Sequence, residues 1–103
     1  MTIKLNDLPG KRMHVHIQYI DIDRKTVMNE NKFSGYVDKV DETGGIVVQE
    51  DGALHAMRVI PPSLDACTCD EEGVYAVNWL VYRTQENRSD GQHEWWEWVP
   101  RYQ

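Results

Sequence analysis

Hydrophobic and polar positions alternate with a period of two along much of this chain. The clearest run is Met13–Tyr19, where odd positions are apolar and even positions are polar. Successive side chains of a strand point to opposite faces, so this run predicts a half-buried strand. The phase then shifts, because Ile20 and Ile22 are apolar at even positions, which predicts a bulge at the strand end. The residues predicted to face the core are Met13, Val15, Ile17 and Tyr19.

The rest of the chain continues this strand-like pattern between Gly, Asp and Pro turns. No segment keeps a helical period over ten residues, and only residues 63–66 favour a single helical turn. Gly35 inside a strand indicates a sharp bend or a close approach of two backbones. We therefore expect an all-β fold of five to six short antiparallel strands. The further predicted strands are 32–40, 46–48, 53–60, 74–83 and 93–101.

Length and composition narrow the class of protein. A chain of 103 residues with 41% hydrophobic content predicts one globular domain over residues 1–103. Eleven basic and seventeen acidic residues give a net charge of −6, which argues against binding to a nucleic-acid backbone. The apolar runs are too short to span a membrane and no secretory signal is visible, so we expect a cytoplasmic protein.

Two cysteines lie one residue apart in the sequence, Cys67 and Cys69. In a cytoplasmic protein we expect both to be reduced thiols. A zinc half-site is an alternative, but it needs two further ligands that the sequence does not supply as a second cysteine pair. A strained redox-active bridge is the remaining alternative.

Residues 11–66 resemble the small five-stranded barrels of the SH3-like and Sm-like type. The resemblance lies in the first strand, a bent second strand with Gly35, the Gly44-Gly45 turn, a following hairpin and the segment 60–64. It implies a small barrel with one short helical turn. The ligand-binding residues of these families have no counterparts here. Small acidic β-proteins of this build are also similar in style to bacterial toxin-immunity proteins and phage-encoded inhibitors.

Two histidines, His14 and His16, share one face of the first predicted strand. This is how β-barrel metalloenzymes present two imidazoles to a metal, and His55 or His93 could supply a third ligand. The alternative is that both histidines lie on the solvent face opposite the apolar positions. We favour that alternative, because no further ligand follows at a recognised spacing, and we therefore expect no metal and no cofactor.

Catalytic motifs are missing from the sequence. The carboxylates occur mainly in turns, where they are usually solvated or capping groups. No nucleophile elbow, phosphate-binding loop or metalloprotease motif is present. We therefore expect a protein that is not an enzyme.

The strongest candidate for function is an aromatic surface in the last third of the chain. All four tryptophans lie there, and Trp95 must face away from Trp96, whereas Trp96 and Trp98 share a face. Cross-strand pairing is expected to set these two beside Asn78, Leu80 or Tyr82. Exposed aromatic patches mark interfaces. The residues predicted to bind a partner are Tyr82, Trp96 and Trp98, with an acidic rim of Asp70, Glu71, Glu72, Glu94 and Glu97.

These observations favour a non-enzymatic protein-binding module. Its most concrete form is an inhibitor or immunity-type protein that occludes a basic partner protein, because an acidic surface steers association with a basic one. Two alternatives stay open at this point. One is a homo-oligomeric Sm-like structural or adaptor module whose edge strands pair between subunits. The other is a small metal-binding barrel that uses His14 and His16.

Overall fold

The computed structural model describes residues 4–41, 43–52, 56–88 and 91–101, and of residues 85–88 and 91–94 it describes the backbone. Within these ranges the chain is almost entirely β-structure, as the sequence predicts. A three-residue 3-10 helix at Leu5–Asp7 precedes the first strand. The strands are β1 (Arg12–Ile20), β2 (Val27–Asp41), β3 (Gly45–Glu50), β4 (Met57–Ile60), β5 (Cys67–Cys69), β6 (Tyr75–Arg88) and β7 (Gly91–Pro100).

The seven strands form one sheet in the order β4-β3-β2-β1-β6, and β6 pairs with two strands along its other edge. Its first part pairs with β5 across Cys67–Cys69, and its later part pairs with β7 from Trp79 to Arg88. β6 is therefore a central strand, which explains why it carries apolar residues on both faces.

The first strand matches its predicted pattern. Met13, Val15 and Ile17 are buried, whereas His14 is exposed on the opposite face. The register of β1 with β2 shifts between Tyr19 and Ile20, so the predicted irregularity is confirmed. The two strands are antiparallel, because a short loop joins them.

The prediction of a small barrel of five to six antiparallel strands is wrong in three respects. The described sheet has seven strands and is not closed, and β1 pairs with β6 in parallel. The sequence prediction missed β5 because three residues are too few to show an alternating pattern. It missed the parallel pairing of β1 with β6 because that pairing joins strands far apart in the sequence. Residues 63–66, which were predicted to form one helical turn, form a turn and not a helix. The N–H of Cys67 donates to the Leu64 carbonyl in this turn.

The sheet is strongly curled around a single buried cluster. Ile60 of β4 and Trp79 of β6 belong to the same cluster although they are four strands apart in the sheet. We call the side that carries this cluster the concave face and the side that carries His14 the convex face. Leu8 closes the core at the start of β1, because its loop is hydrogen-bonded to Val37 through Gly10 and Lys11.

The β6–β7 hairpin extends beyond the rest of the sheet. The last residue of β1 pairs with Tyr82, so among the described strands the six residues of β6 from Arg83 to Arg88 pair with β7 alone. This projection gives the molecule its length, with extents of 49 × 31 × 25 Å. Among the described residues no helix is long and apolar enough to cross a membrane.

Candidate functional site

Trp96 and Trp98 lie on the concave face, at the end of the core. The antiparallel register sets Trp98 opposite Val81 and Trp96 opposite Arg83. The prediction that they lie beside Asn78, Leu80 or Tyr82 is therefore wrong, because those residues are on the convex face. The predicted opposition of Trp95 and Trp96 is confirmed, since Trp95 pairs with Thr84 on the convex side.

The two indoles are held by aromatic contacts with their own chain. Trp98 meets the buried Trp79 edge-on, with ring centroids 5.8 Å apart and planes at 79°. Trp96 meets Tyr19 in the same way, at 5.9 Å and 88°. Such contacts contribute about 0.5–1.5 kcal/mol beyond area burial. The indoles nevertheless stay partly solvent-exposed, with 48% of Trp96 and 37% of Trp98 accessible.

A groove with a mixed polar and apolar lining opens where the core ends between β4 and β7. The volume of this groove is about 260 Å³. The core is closed at the opposite end of β1, where Leu8 is fully buried. We call this groove the open groove. The strand segment Met57–Ile60 of β4 lines one side and Trp98 lines the other. Its floor is formed by Ile17, Tyr19, Asn31 and Phe33.

The groove has one cation at its wall. Arg58 Cζ lies 5.6 Å from the centroid of the Phe33 ring, and its Nε donates to Glu50 Oε2 at 3.0 Å. The carboxylate balances the guanidinium, so this pair gives the groove no net charge.

Tyr82 and Glu97 face away from the two indoles. They are paired in register on the convex face, where Arg24 bridges them. The Arg24 guanidinium lies 4.2 Å from the Tyr82 ring centroid and 3.8 Å from Glu97 Oε2. Arg24 adopts this position with a φ of +62°, which is unfavourable for a residue other than glycine. Tyr82 and Glu97, which were both predicted to bind a partner, thus contact Arg24 in a loop of their own chain.

The acidic turn of Asp70, Glu71 and Glu72 lies at the other end of β6. It precedes Tyr75, whereas Trp96 pairs with Arg83, and eight residues of strand span about 26 Å. Asp70 is engaged in the turn itself, since its Oδ1 accepts from Glu72 N–H and Val74 N–H at 2.9 Å. The structure therefore does not bring this turn to the indoles. The side chain of Glu94 lies outside the described residues.

His14 and His16 lie on the convex face and each contacts a neighbour on β2. His14 Nδ1 is 2.5 Å from Ser34 Oγ, and His16 Nε2 contacts Glu30 Oε1. The hydrogen bond with His16 is the main reason why the pKa of Glu30 is lowered, and Lys32 adds to it. A depression of about 530 Å³ lies over these residues and Asn78.

The sequence suggests His55 or His93 as a third metal ligand beside His14 and His16. His55 and the side chain of His93 lie outside the described residues. Within the part of the chain that the structure covers, no cluster of three or more His, Cys, Asp and Glu side chains could hold a metal ion. The histidines are arranged as polar side chains of a solvated sheet face.

Cys67 and Cys69 are both free thiols on β5. They pair with Val77 and Tyr75, so they lie on the same side of the strand. Cys67 packs against the core, and burial raises its pKa to about 11, with a smaller contribution from Cys69. Cys69 is exposed.

Sequence reasoning missed the part of the site that comes from β4 and β1. Met57–Ile60 lies in a segment predicted as a strand, but nothing in the local pattern says that it lines a groove beside Trp98. The available signal was the alternation of residue types along this strand. It could not be interpreted without knowing that β4 is the edge strand of a curled sheet.

Comparison of the chain with protein-family models, with curated proteins and with solved structures finds no match. The functional argument therefore rests on the geometry of its own residues.

Proposed function

We propose that this protein is a non-enzymatic protein-binding module whose binding surface is the open groove together with Trp96. The observation that carries the proposal is that the core is closed at one end and opens at the other into a groove beside the partly exposed indoles of Trp96 and Trp98. Exposed apolar patches that adjoin a groove are typical of protein interfaces.

The proposed mechanism is occlusion, with the groove and the indoles providing affinity. Trp96 and Trp98 present large, rigid surfaces and lose little conformational entropy when a partner covers them. Asn31 and Arg58 supply polar groups at the groove, which help to orient a partner. The acidic turn contributes at a distance, because it lies about 26 Å from the indoles.

A basic partner remains the more specific form of this proposal, with an inhibitor or immunity-type protein as its concrete example. Its support is the net charge of −6 and the exposure of Asp70, Glu71 and Glu72. Charge of this kind accelerates association over distances of about a Debye length. The proposal thus assigns the acidic groups to steering and the aromatic groups to affinity.

A relationship to SH3-like and Sm-like barrels is also proposed, for residues 11–66. Its support is the consecutive antiparallel pairing of β1, β2, β3 and β4, with β2 approaching β3 closely at Gly35.

The experiment is affinity capture from the native host, followed by binding measurements with the purified partner. We expect Trp96→Ala and Trp98→Ala each to weaken binding at least about tenfold, since central aromatic residues dominate interfaces. Trp95→Ala is the matched control, because Trp95 has similar exposure on the opposite face. Circular dichroism of each variant checks the fold.

Two results would count against the proposal. If binding survives Trp96→Ala and Trp98→Ala but is lost in Trp95→Ala, the partner binds the convex face and the proposed binding surface is wrong. If the association rate does not fall as salt is added, the assignment of the acidic turn to steering is wrong.

A further inference from the structure

The outer edge of β7 carries no neighbouring strand in the described sheet. β7 pairs with β6 over ten consecutive residue pairs, from Trp79–Pro100 to Arg88–Gly91, and no other described strand pairs with it. An edge of this length presents a row of backbone N–H and C=O groups that can pair with another strand.

Several devices that protect edge strands are missing from β7, although the strand carries Glu94 and Glu97. The pairing of β7 with β6 has no bulge, the strand contains no lysine, and its one proline is the last residue, Pro100. Instead the strand carries three exposed indoles, Trp95, Trp96 and Trp98. The other long edge is different, because β4 has only four residues. Short edge strands are one of the ways in which proteins prevent pairing between molecules.

The outer part of the hairpin has little strand pairing with the rest of the sheet, although Trp96 packs against Tyr19 at its base. Among the described strands, the segment of β6 from Arg83 to Arg88 pairs with β7 alone, since β1 ends opposite Tyr82. A two-stranded hairpin alone is at best marginally stable in water. A further strand beside β7 would provide the missing third strand.

Two ion pairs lie beside β7, although the whole chain carries −6. Arg24 lies 3.8 Å from Glu97, and Arg83 lies 3.9 Å from Asp21. A two-fold axis sets a surface against its own copy, so a surface with one dominant charge would repel itself. These two cations and two anions do not, and Glu97 of one copy can interact with Arg24 of the other.

We propose that a second copy of this chain binds here, with the β7 strands of the two copies paired antiparallel about a two-fold axis. The inference rests on the proposed function in so far as both assign protein binding to β7. The three indoles expose roughly 300 Å² per chain, which is less than half of a standard interface side. We therefore expect a weak dimer that forms at micromolar or higher concentration.

Sedimentation velocity over a concentration series tests the dimer. We expect the wild type to shift from monomer to dimer as concentration rises. Trp96→Lys introduces a charge beside the edge and is expected to raise the dissociation constant at least about tenfold. Tyr36→Lys is the matched control on β2, because Tyr36 is 53% exposed and Trp96 is 48% exposed. It should leave the dimer unchanged.

Hydrogen exchange gives a second measurement that needs no substitution. Antiparallel pairing of β7 with its copy should protect alternate amides between Gly91 and Val99, and the protection should increase with protein concentration. A chain that stays monomeric at every concentration overturns the inference, as does a dimer that Tyr36→Lys breaks and Trp96→Lys does not. In the monomeric case, capture of another protein through Trp96 and Trp98 would still uphold the proposed function.

Discussion

Trp98 lies edge-on against Trp79, with ring centroids 5.8 Å apart, and joins the buried core to the exposed surface. Trp79 is only 3% exposed, and its indole nitrogen has no hydrogen-bond partner among the described residues. Trp98 thus serves both packing and the proposed binding surface.

Replacing Trp98 with alanine should destabilise the protein by about 2 kcal/mol, because it removes the contact with Trp79 and opens the core to water. Urea unfolding followed by circular dichroism measures the change. Trp95→Ala should change the free energy of unfolding by no more than about 0.5 kcal/mol, since Trp95 lies on the convex face away from the core. Equal losses in the two variants would contradict this role of Trp98.

Replacing Gly35 with alanine should destabilise the protein by about 3 kcal/mol or more. An added Cβ would lie 2.7 Å from the carbonyl carbon of Gln49, in the backbone of β3, which cannot move without breaking the sheet. Gly73→Ala is the control, because a Cβ there meets no atom within 4 Å but the φ of +81° is unfavourable. Its cost should be about 1 kcal/mol. Thermal unfolding of both variants compares steric overlap with backbone strain.

The carboxylate of Asp23 should make stability depend on pH. Its pKa is lowered from 3.8, chiefly because the Thr26 hydroxyl donates to it, with the backbone N–H groups of Thr26 and Lys25 adding to the effect. A lowered pKa stabilises the folded state above pH 3.8, and this contribution is lost as the pH falls through the lowered value. Thr26→Val should be less stable than the wild type at neutral pH, and the difference should shrink below pH 3.8.

Carboxyl NMR titration checks the cause directly. The pKa of Asp23 should rise in Thr26→Val, whereas Thr43→Val should raise the pKa of Asp41 and leave Asp23 unchanged, because Thr43 donates to Asp41. An unchanged Asp23 titration in Thr26→Val would exclude the hydroxyl as the main cause.

The two cysteines should react at different rates with iodoacetamide at pH 8. The pKa of Cys67 is raised to about 11 by burial, so this residue stays a thiol, and thiolates are the reactive form. Cys69 is exposed and should be alkylated first. Mass spectrometry of Cys67→Ser and Cys69→Ser measures each rate separately. A rate for Cys67 equal to that of Cys69 would contradict its burial.

The local pattern of the sequence determined the β-structure and much of the core. Alternation in Met13–Tyr19 identified the buried side of β1, and the shift at Ile20 identified an irregularity in pairing. Gly35 was expected to allow close approach, and it does so against Gln49. These properties depend on a residue and its near neighbours, because side-chain direction in a strand alternates with position.

The candidate site, by contrast, depended on the pairing of strands far apart in sequence. Sequence alone established that Trp96 and Trp98 share a face. Only the register with β6 decided that this face carries Val81 and not Tyr82. A shift of one residue in that register exchanges the two faces, and hydrophobic residues on both sides of β6 leave the choice open to local reasoning.

The position of the predicted acidic rim relative to the indoles also depended on the tertiary structure. Charge summed over the sequence does not say where each carboxylate lies, and strand β6 separates Asp70–Glu72 from Trp96 by about 26 Å. What the sequence by itself determined is therefore an acidic all-β chain with a predicted aromatic surface. The tertiary structure decided that the sheet is open, that the core ends in a groove beside Trp98, and that β7 is an edge strand of the described sheet. These three features follow from the long-range pairing of strands and from the curvature of the sheet.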